Sequence, residues 1–580
     1  MWLIVLAAAV FPALLAYNVS PSPTFLNQAM AFMLWAAFAL GSLWTATPAA
    51  RTARGAAPLL GALGILLLAA AWACGPGALA ASLGLSLLAT LAATAVLVLA
   101  GSAAAAGRRA ESLFTAFCWA WLLAGVLNTV LALIQVFAPD LTDGNWLATS
   151  GLPGRAIGNL RQPNHLSSLL LWSCIATVAL HELGRLRSAL AAALLAGLVF
   201  AVVLTASRTG LVSVALLALW AVVDRRLSKP ARLMLLAAPL VYALSWWLMV
   251  LWADVSQHSF GGSQRIAEGD ISSSRFAIWR DTLALIRMHP WTGVGFGEFN
   301  FAWTLTPFPQ RPVAFFDHTH NLPLQLLVEL GLPLGGAVLG LLMWALWRGL
   351  RQAWASTGAV SVAQRSAMLM VLMIGLHSLL EYPLWYSYFL LPAAWAWGFA
   401  LQRHQPDDPD LAPTAGQNHA LTLAAAAVVA GAMFSVIDYF RVAAIFTASD
   451  NAAPLAQRIA AGQRSLFFAH HADYAAVTAG LPIADPAHAF DRATHYLLDT
   501  RLMVAWATSL AERGQLDQAR HIAQRLREFR KVDADEFFVV CQAPAAPGGG
   551  ASAVAATPLP FQCQPPQRDL SWTEFLPSSR

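Results

Sequence analysis

The sequence predicts an all-α, polytopic membrane protein of about 13 transmembrane helices, with a long loop on the outer face and a C-terminal helical domain. Three observations predict it. Apolar residues make up 58% of the 580-residue chain and charged residues 11%, against about 25% charged in an average soluble chain. The charges are uneven: residues 1–440 hold 22 basic and 17 acidic side chains, and residues 441–580 hold 13 and 13. Apolar runs of about 20 residues, the length that crosses a bilayer, recur through the first part. Composition excludes a disordered chain, a disulfide-rich secreted scaffold and an ordinary cytosolic enzyme. The net charge of +5 belongs to membrane loops. It gives no reason to expect nucleic acid as a partner; the lipid bilayer is the expected one.

The spans fall at 1–17, 28–46, 57–75, 81–100, 113–137, 164–181, 188–205, 209–223, 231–253, 321–347, 366–381, 384–402 and 418–439. The first lacks a basic n-region, since no Lys or Arg precedes Arg51, and so reads as a helix and not as a signal peptide. Residues 1–150 form the N-terminal helices, 151–402 a membrane core containing the long loop 254–320, 403–440 the last span, and 441–580 a separate helical domain. Orientation follows from Arg and Lys in short loops. With the N-terminus inside, fourteen basic residues lie on inner loops, from Arg51 to Arg403, and three on short outer ones: Arg155, Arg161 and Arg208. The loop 254–320 and the whole tail are then outside, which in a bacterium is the periplasm.

The tail reads as helical from 441 to about 535. Residues 505–519 form two amphipathic helices around Gly514 and resemble one tetratricopeptide-like hairpin, although no 34-residue repeat follows. Residues 542–567, rich in Pro, Gly and Ala, read as a flexible arm. Cys541 and Cys563 lie in the tail, where an oxidising compartment would let them pair; Cys74, Cys118 and Cys174 sit in apolar runs as inert core thiols. Lysine occurs only at 229 and 531; an arginine-rich genome accounts for most of that bias, although the planar guanidinium also suits phosphate.

Polar residues gather on the outer face in a few places: Gly158 to His165, Ser207-Arg208-Thr209-Gly210, the loop with Arg275, Trp279 and Arg280 followed by His289 to Gly297, Asp317-His318-Thr319-His320-Asn321, and Glu381-Tyr382-Pro383. Each has a structural and a functional reading. Arg208 either snorkels to headgroups or meets an anionic ligand, which would explain an outer-leaflet Arg against the positive-inside bias. Gln162 and Asn164 flank Pro163 and either cap a helix or face a substrate. Residues 275–280 have the spacing of an amphipathic surface helix. His320 is either a structural interfacial His or a general base. Asp317 stands three residues before it and would be its partner if the helix began early. Glu329, nine residues further on, falls on the opposite helix face about 13 Å away. His318 and His320 lack a third ligand at zinc-like spacing. The Gly293–Gly297 run follows no strand and reads as a turn, not a nucleotide loop.

These motifs, in this order, resemble the O-antigen ligase/polymerase (Wzy_C, WaaL-like) superfamily, and within it the PglL-type protein O-oligosaccharyltransferases. The resemblance rests on Gln162-Pro163-Asn164, Ser207 to Gly210, the Arg275…Trp279…Pro290…Gly293-Val294-Gly295 loop, and His320-Asn321 followed by Gly331; the small or hydroxyl residue expected at 334 is Leu334. What it implies is a metal-independent glycosyltransferase of the bacterial inner membrane, without cofactor. The donor would be an oligosaccharide on undecaprenyl pyrophosphate, and the acceptor a Ser or Thr of a periplasmic or pilin protein. By the same resemblance His320 is catalytic, Arg208 and Arg275 hold the donor's pyrophosphate, and Gln162, Asn164, Asn321, Asp317 and Tyr382 bind or support substrate. The alternatives are an O-antigen ligase acting on lipid A-core and an O-antigen polymerase; outside the enzymes, a transporter or flippase, which would bury its polar groups at mid-membrane in repeated halves.

Overall fold

A computed structural model describes residues 1–580 apart from 44–48, 76–78, 264–270, 405–417, 450, 543–558 and 577–580. The described residues form helices and turns and contain no strand. Thirteen helices occupy the thirteen apolar segments: α1 Trp2–Leu14, α2 Phe25–Leu43, α3 Ala49–Cys74, α4 Ala81–Ala106, α5 Ala110–Phe137, α6 Pro163–Glu182, α7 Ser188–Leu204, α8 Arg208–Val223, α9 Lys229–Ser256, then, after two helices in the long loop (α10 Ile271–Met288 and α11 Phe299–Leu305), α12 Leu322–Ala355, α13 Gly358–Ser378, α14 Ser387–Leu401 and α15 His419–Phe446. Eight of them, α2 to α5, α9, α12, α13 and α15, are long and apolar enough to cross a membrane. The tail continues as α16 Leu455–Gly462, α17 Ala469–Thr478, α18 Pro486–Ala493, α19 Thr500–Glu512, α20 Leu516–Glu528 and α21 Asp535–Phe538.

The chain divides into two compact units that do not follow sequence order. The first comprises residues 1–66, 89–269 and 338–437; the second comprises 67–88, 270–337 and 438–580.

The first unit is built around α6. Every residue from Pro163 to Leu180 is buried, as expected of a helix covered on all sides by other helices. Small residues let its neighbours close in: a Cβ on Gly125 of α5 would stand 2.2 Å from Ser173 Oγ. The Ser173 hydroxyl donates to Trp121 O (2.7 Å) and the Trp172 indole to Met370 O (3.0 Å). The same device joins α4 to α14, where a Cβ on Gly101 would lie 2.1 Å from Trp395 O and one on Gly398 2.0 Å from Val98 O. Outward, α9 exposes Leu233, Leu240, Leu244 and Trp247, a surface suited to lipid. Arg365 pairs with Asp224 at 2.7 Å, both side chains almost wholly buried, and the Trp220 indole donates to the same carboxylate (3.2 Å).

The second unit has a core of its own. Helix α11 is buried at all seven positions. Its Phe299, Phe301 and Trp303 share one apolar cluster with Leu502, Met503 and Trp506 of α19, Ile522 and Leu526 of α20, and Phe529, Trp572 and Phe575. Helices α19 and α20 pack together across Gly514, whose φ of +78° suits glycine best. Cys541 and Cys563 form a disulfide, Cα atoms 5.4 Å apart. Most of the predicted arm, 543–558, lies outside the described residues. Its described end is held: Arg527 donates to Gln562 O (2.9 Å) and the Gln567 N–H to Asp517 (2.6 Å).

Candidate active site

The predicted site residues fall into two clusters, one in each unit. In the first, Gln162 is the N-cap of α6. Its side-chain oxygen accepts the His165 N–H at 2.9 Å, and Pro163 occupies the first helical position, where its missing N–H costs nothing. The buried Asn164 amide donates to Glu381 (3.0 Å) and accepts from the Ser207 hydroxyl (2.6 Å). Ser207 in turn caps α8 by accepting the Gly210 N–H at 3.0 Å. Gly210 allows a close approach: a Cβ there would come within 2.9 Å of Val202 and 3.2 Å of Ser167. One hydrogen-bonded chain thus ties the start of α6, the start of α8 and the turn after α13.

That turn places Tyr382 half-buried, its ring 6.2 Å from and nearly parallel to Tyr386. Two residues that sequence reasoning passed over are drawn in. His165 bonds Tyr388 OH at 3.0 Å, and His377 bonds Ser168 Oγ at 2.7 Å. His165 lay inside a quoted motif, but nothing in the sequence pairs it with a tyrosine 223 positions away.

The three arginines that the sequence places on short outer loops separate here. Arg155 is buried and donates to Thr205 O (3.1 Å). Arg161, at φ +58°, donates to Pro23 O and Ala16 O. Arg208, the first residue of α8, is exposed.

In the second unit Arg275, Trp279 and Arg280 lie on α10, with Arg275 half-buried. The Trp279 indole donates to Thr319 O at 3.0 Å. The Thr319 N–H donates to Gln325 (2.8 Å) and its hydroxyl to Asn321 O (2.8 Å), and Asn321 caps α12 by accepting the Leu324 N–H at 3.0 Å. His320 sits between these fixed residues, half-exposed, with φ +53° and its ring edge-on to Phe316 at 5.5 Å. A left-handed backbone at a non-glycine residue costs about 1–3 kcal/mol and persists only where its surroundings over-determine it.

Asp317 precedes the helix, which starts at Leu322 and not earlier. Its carboxyl, half-exposed, pairs with His318 at 2.9 Å. Burial pushes that carboxyl up, but the His318 ring, a backbone hydrogen bond and His320 together pull it down further, and the balance lies below the ordinary value. Glu329 is buried and bonded to Gln325 (2.9 Å). The glycine run is a clasp: the Val294 and Gly295 N–H groups donate to Val328 O (2.9 Å) and Glu329 O (3.1 Å), beside a break in α12 at Gly331. Among the described residues no group of three or more His, Cys, Asp or Glu side chains is placed to hold a metal ion.

Comparison with known families gives three matched segments. Residues 191–339, which include Arg208, Arg275 and His320, match the family described as O-Antigen ligase. Residues 156–181, which include Gln162 and Asn164, match the family described as Protein glycosylation ligase. Residues 366–540 match the C-terminal part of the family described as Virulence factor membrane-bound polymerase. A general O-oligosaccharyltransferase of Acinetobacter baylyi is 28% identical over 319 residues, covering 51% of this chain and 52% of the relative. A ComP-specific O-oligosaccharyltransferase of the same organism is 26% identical over 287 residues, covering 48% and 50%. The chain thus spans about half the length of the curated relatives it matches. These matches bear out the resemblance read from the motifs: the chain is similar to the O-antigen ligases through its central segment and to the protein O-oligosaccharyltransferases among its relatives.

Proposed function

We propose that this chain is a glycosyltransferase that passes a pre-assembled oligosaccharide from undecaprenyl pyrophosphate to Ser or Thr hydroxyls of periplasmic or pilin proteins. It would work in the bacterial inner membrane with its active face and C-terminal region in the periplasm. The acceptor oxygen attacks the anomeric carbon as the bond from that carbon to the pyrophosphate oxygen breaks. The bonding pair leaves with undecaprenyl pyrophosphate, and the acceptor's proton passes to His320, which releases it to solvent. A diphosphate is a competent leaving group once its charge is matched, and guanidinium groups match it with paired, charge-assisted hydrogen bonds. Arg208 and Arg275 are each assigned that role.

The observation that carries the reading is the backbone of His320. A strained turn, bonded on both sides through Thr319 and Asn321, is the kind of device that holds a general base in place. Gln162 and Asn164 act in this reading as supports, since their side chains already bond the protein.

Deleting the gene and comparing two readouts tests the function. Loss of glycan mass from periplasmic proteins with lipopolysaccharide banding intact is the expected result. The match of residues 191–339 to the O-antigen ligases favours one second reading, transfer to lipid A-core. Loss of lipopolysaccharide banding with protein glycans intact would select it, and shortened O-antigen chains would select a polymerase.

A further inference from the structure

Asn300 carries the one side-chain amide of the seven-residue helix Phe299–Leu305, and it is 7% exposed. Its amide is used at both ends. The Nδ2 group donates to Phe316 O at 2.9 Å, and Oδ1 accepts the Leu498 N–H at 2.8 Å. Phe316 is four residues before His320 and stands edge-on to both the His320 ring (5.5 Å) and the Trp303 ring (5.7 Å). One buried amide therefore links the backbone leading into α19 to the backbone leading into the His320 turn. A second link runs in parallel: the buried Arg311 guanidinium pairs with Glu528 of α20 at 3.0 Å, donates to Trp303 O at 2.8 Å, and lies 4.7 Å over the Trp303 ring.

We infer that Asn300 is a positioning residue for His320, so that the C-terminal helices set the geometry of the imidazole through Asn300 and Phe316. The inference rests on His320 acting as the base proposed above. A buried side-chain amide with both ends bonded fixes distance and direction in a way an apolar contact does not, and a base displaced by an ångström loses most of its rate advantage. The contribution of α19 and α20 is then to the catalytic turn itself, besides anything they do for an acceptor.

The test uses the full-length chain with purified lipid-linked oligosaccharide and an acceptor protein. N300A is expected to lower kcat by about 10- to 100-fold while the KM for donor stays within about twofold. N300D is isosteric and keeps the test alive where N300A does not fold. Its carboxylate still accepts from Leu498 but cannot donate to Phe316 O, whereas its protonated form can. The ratio of N300D to wild-type rate should therefore fall as pH rises through the introduced carboxyl's pKa. A wild-type kcat in N300A, or a flat ratio in N300D, overturns the inference. Carbethoxylation of His320 by diethyl pyrocarbonate, read by peptide mass spectrometry against His181, reports position without any transfer assay. An altered His320 rate in N300A supports the inference and an unaltered one overturns it, whereas a wild-type chain inactive on donor and acceptor strikes only the proposed function.

Discussion

The cluster at the start of α6 and the turn before α12 hold their polar residues in opposite ways. At α6 the motif side chains themselves do the bonding: Gln162 caps the helix, and Asn164 joins Glu381 to Ser207. At α12 the described bonds fix the backbone of the turn around His320. Trp279, Thr319 and Asn321 fix the backbone, and the His320 ring is left half-exposed in a left-handed conformation. Inside a membrane bundle a polar group must be satisfied internally, so membrane motifs are largely consumed by structure. A polar group outside that constraint can be held by others and kept for chemistry. In the proposed reading Arg208 and His320 serve the chemistry, while Gln162 and Asn164 support the fold through their own bonds.

Four substitutions or conditions sharpen that contrast. The largest effect is expected at the buried ion pair of the first unit. Arg365→Ala removes the charged partner of the buried Asp224 and should cost about 3–5 kcal/mol, read as thermal unfolding in detergent. A wild-type midpoint would mean that the polar network of this unit does not hold it together.

Acid should loosen the second unit. Burial holds the His471 and His521 rings down to about 4, so between that value and their ordinary value near 6.5 the unfolded chain binds more protons than the folded one. Stability is thus complete above about pH 6.5 and is lost as pH falls, by about 1.4 kcal/mol per imidazole at pH 5.5. Hydrogen-exchange protection of peptides from α17 to α20, corrected for the intrinsic rate at each pH, should fall over that range; unchanged protection would contradict the burial of these rings.

Gly331→Ala tests the clasp behind His320. At φ +73°, ψ +169° the position favours glycine, and a Cβ would stand 2.4 Å from Trp291 O. The expected loss is about 1–3 kcal/mol of stability, with donor transfer falling as the turn shifts.

The smallest effect separates the two roles of Gln162. Removing the cap by Gln162→Ala should cost about 1 kcal/mol, and Gln162→Ser, a good capping residue, should restore it. If Gln162→Ser is stable yet inactive, the amide touches substrate and the contrast between the clusters fails.

Much of this was legible in the sequence. Apolar run length located the thirteen apolar helices, eight of which are long and apolar enough to cross a membrane, because lipid leaves so few alternatives. Their ends were less legible: the eleventh run, read from 366, begins in the structure at Gly358, since Val360, Ala363 and Ala367 extend the buried face across Gln364 and Arg365. The motif residues were legible by type, but their use was not. Whether Asn164 caps, bridges or binds depends on Glu381 lying 217 positions away. The grouping of 270–337 with 438–580 could not be read either, because it rests on aromatic packing between Phe301 or Trp303 and residues two hundred positions on. Asn300 did leave a mark, a lone amide within Phe299–Leu305, but only its two backbone partners give it meaning.

Proton transfer from the acceptor to His320 is the step on which the proposed reaction turns. It is tested most directly by single-turnover transfer from purified undecaprenyl-pyrophosphate oligosaccharide to an acceptor protein, comparing wild type with His320→Ala in the full-length chain. A fall of about 10²- to 10⁴-fold is expected, with donor still bound. Near-normal transfer by His320→Ala would contradict it.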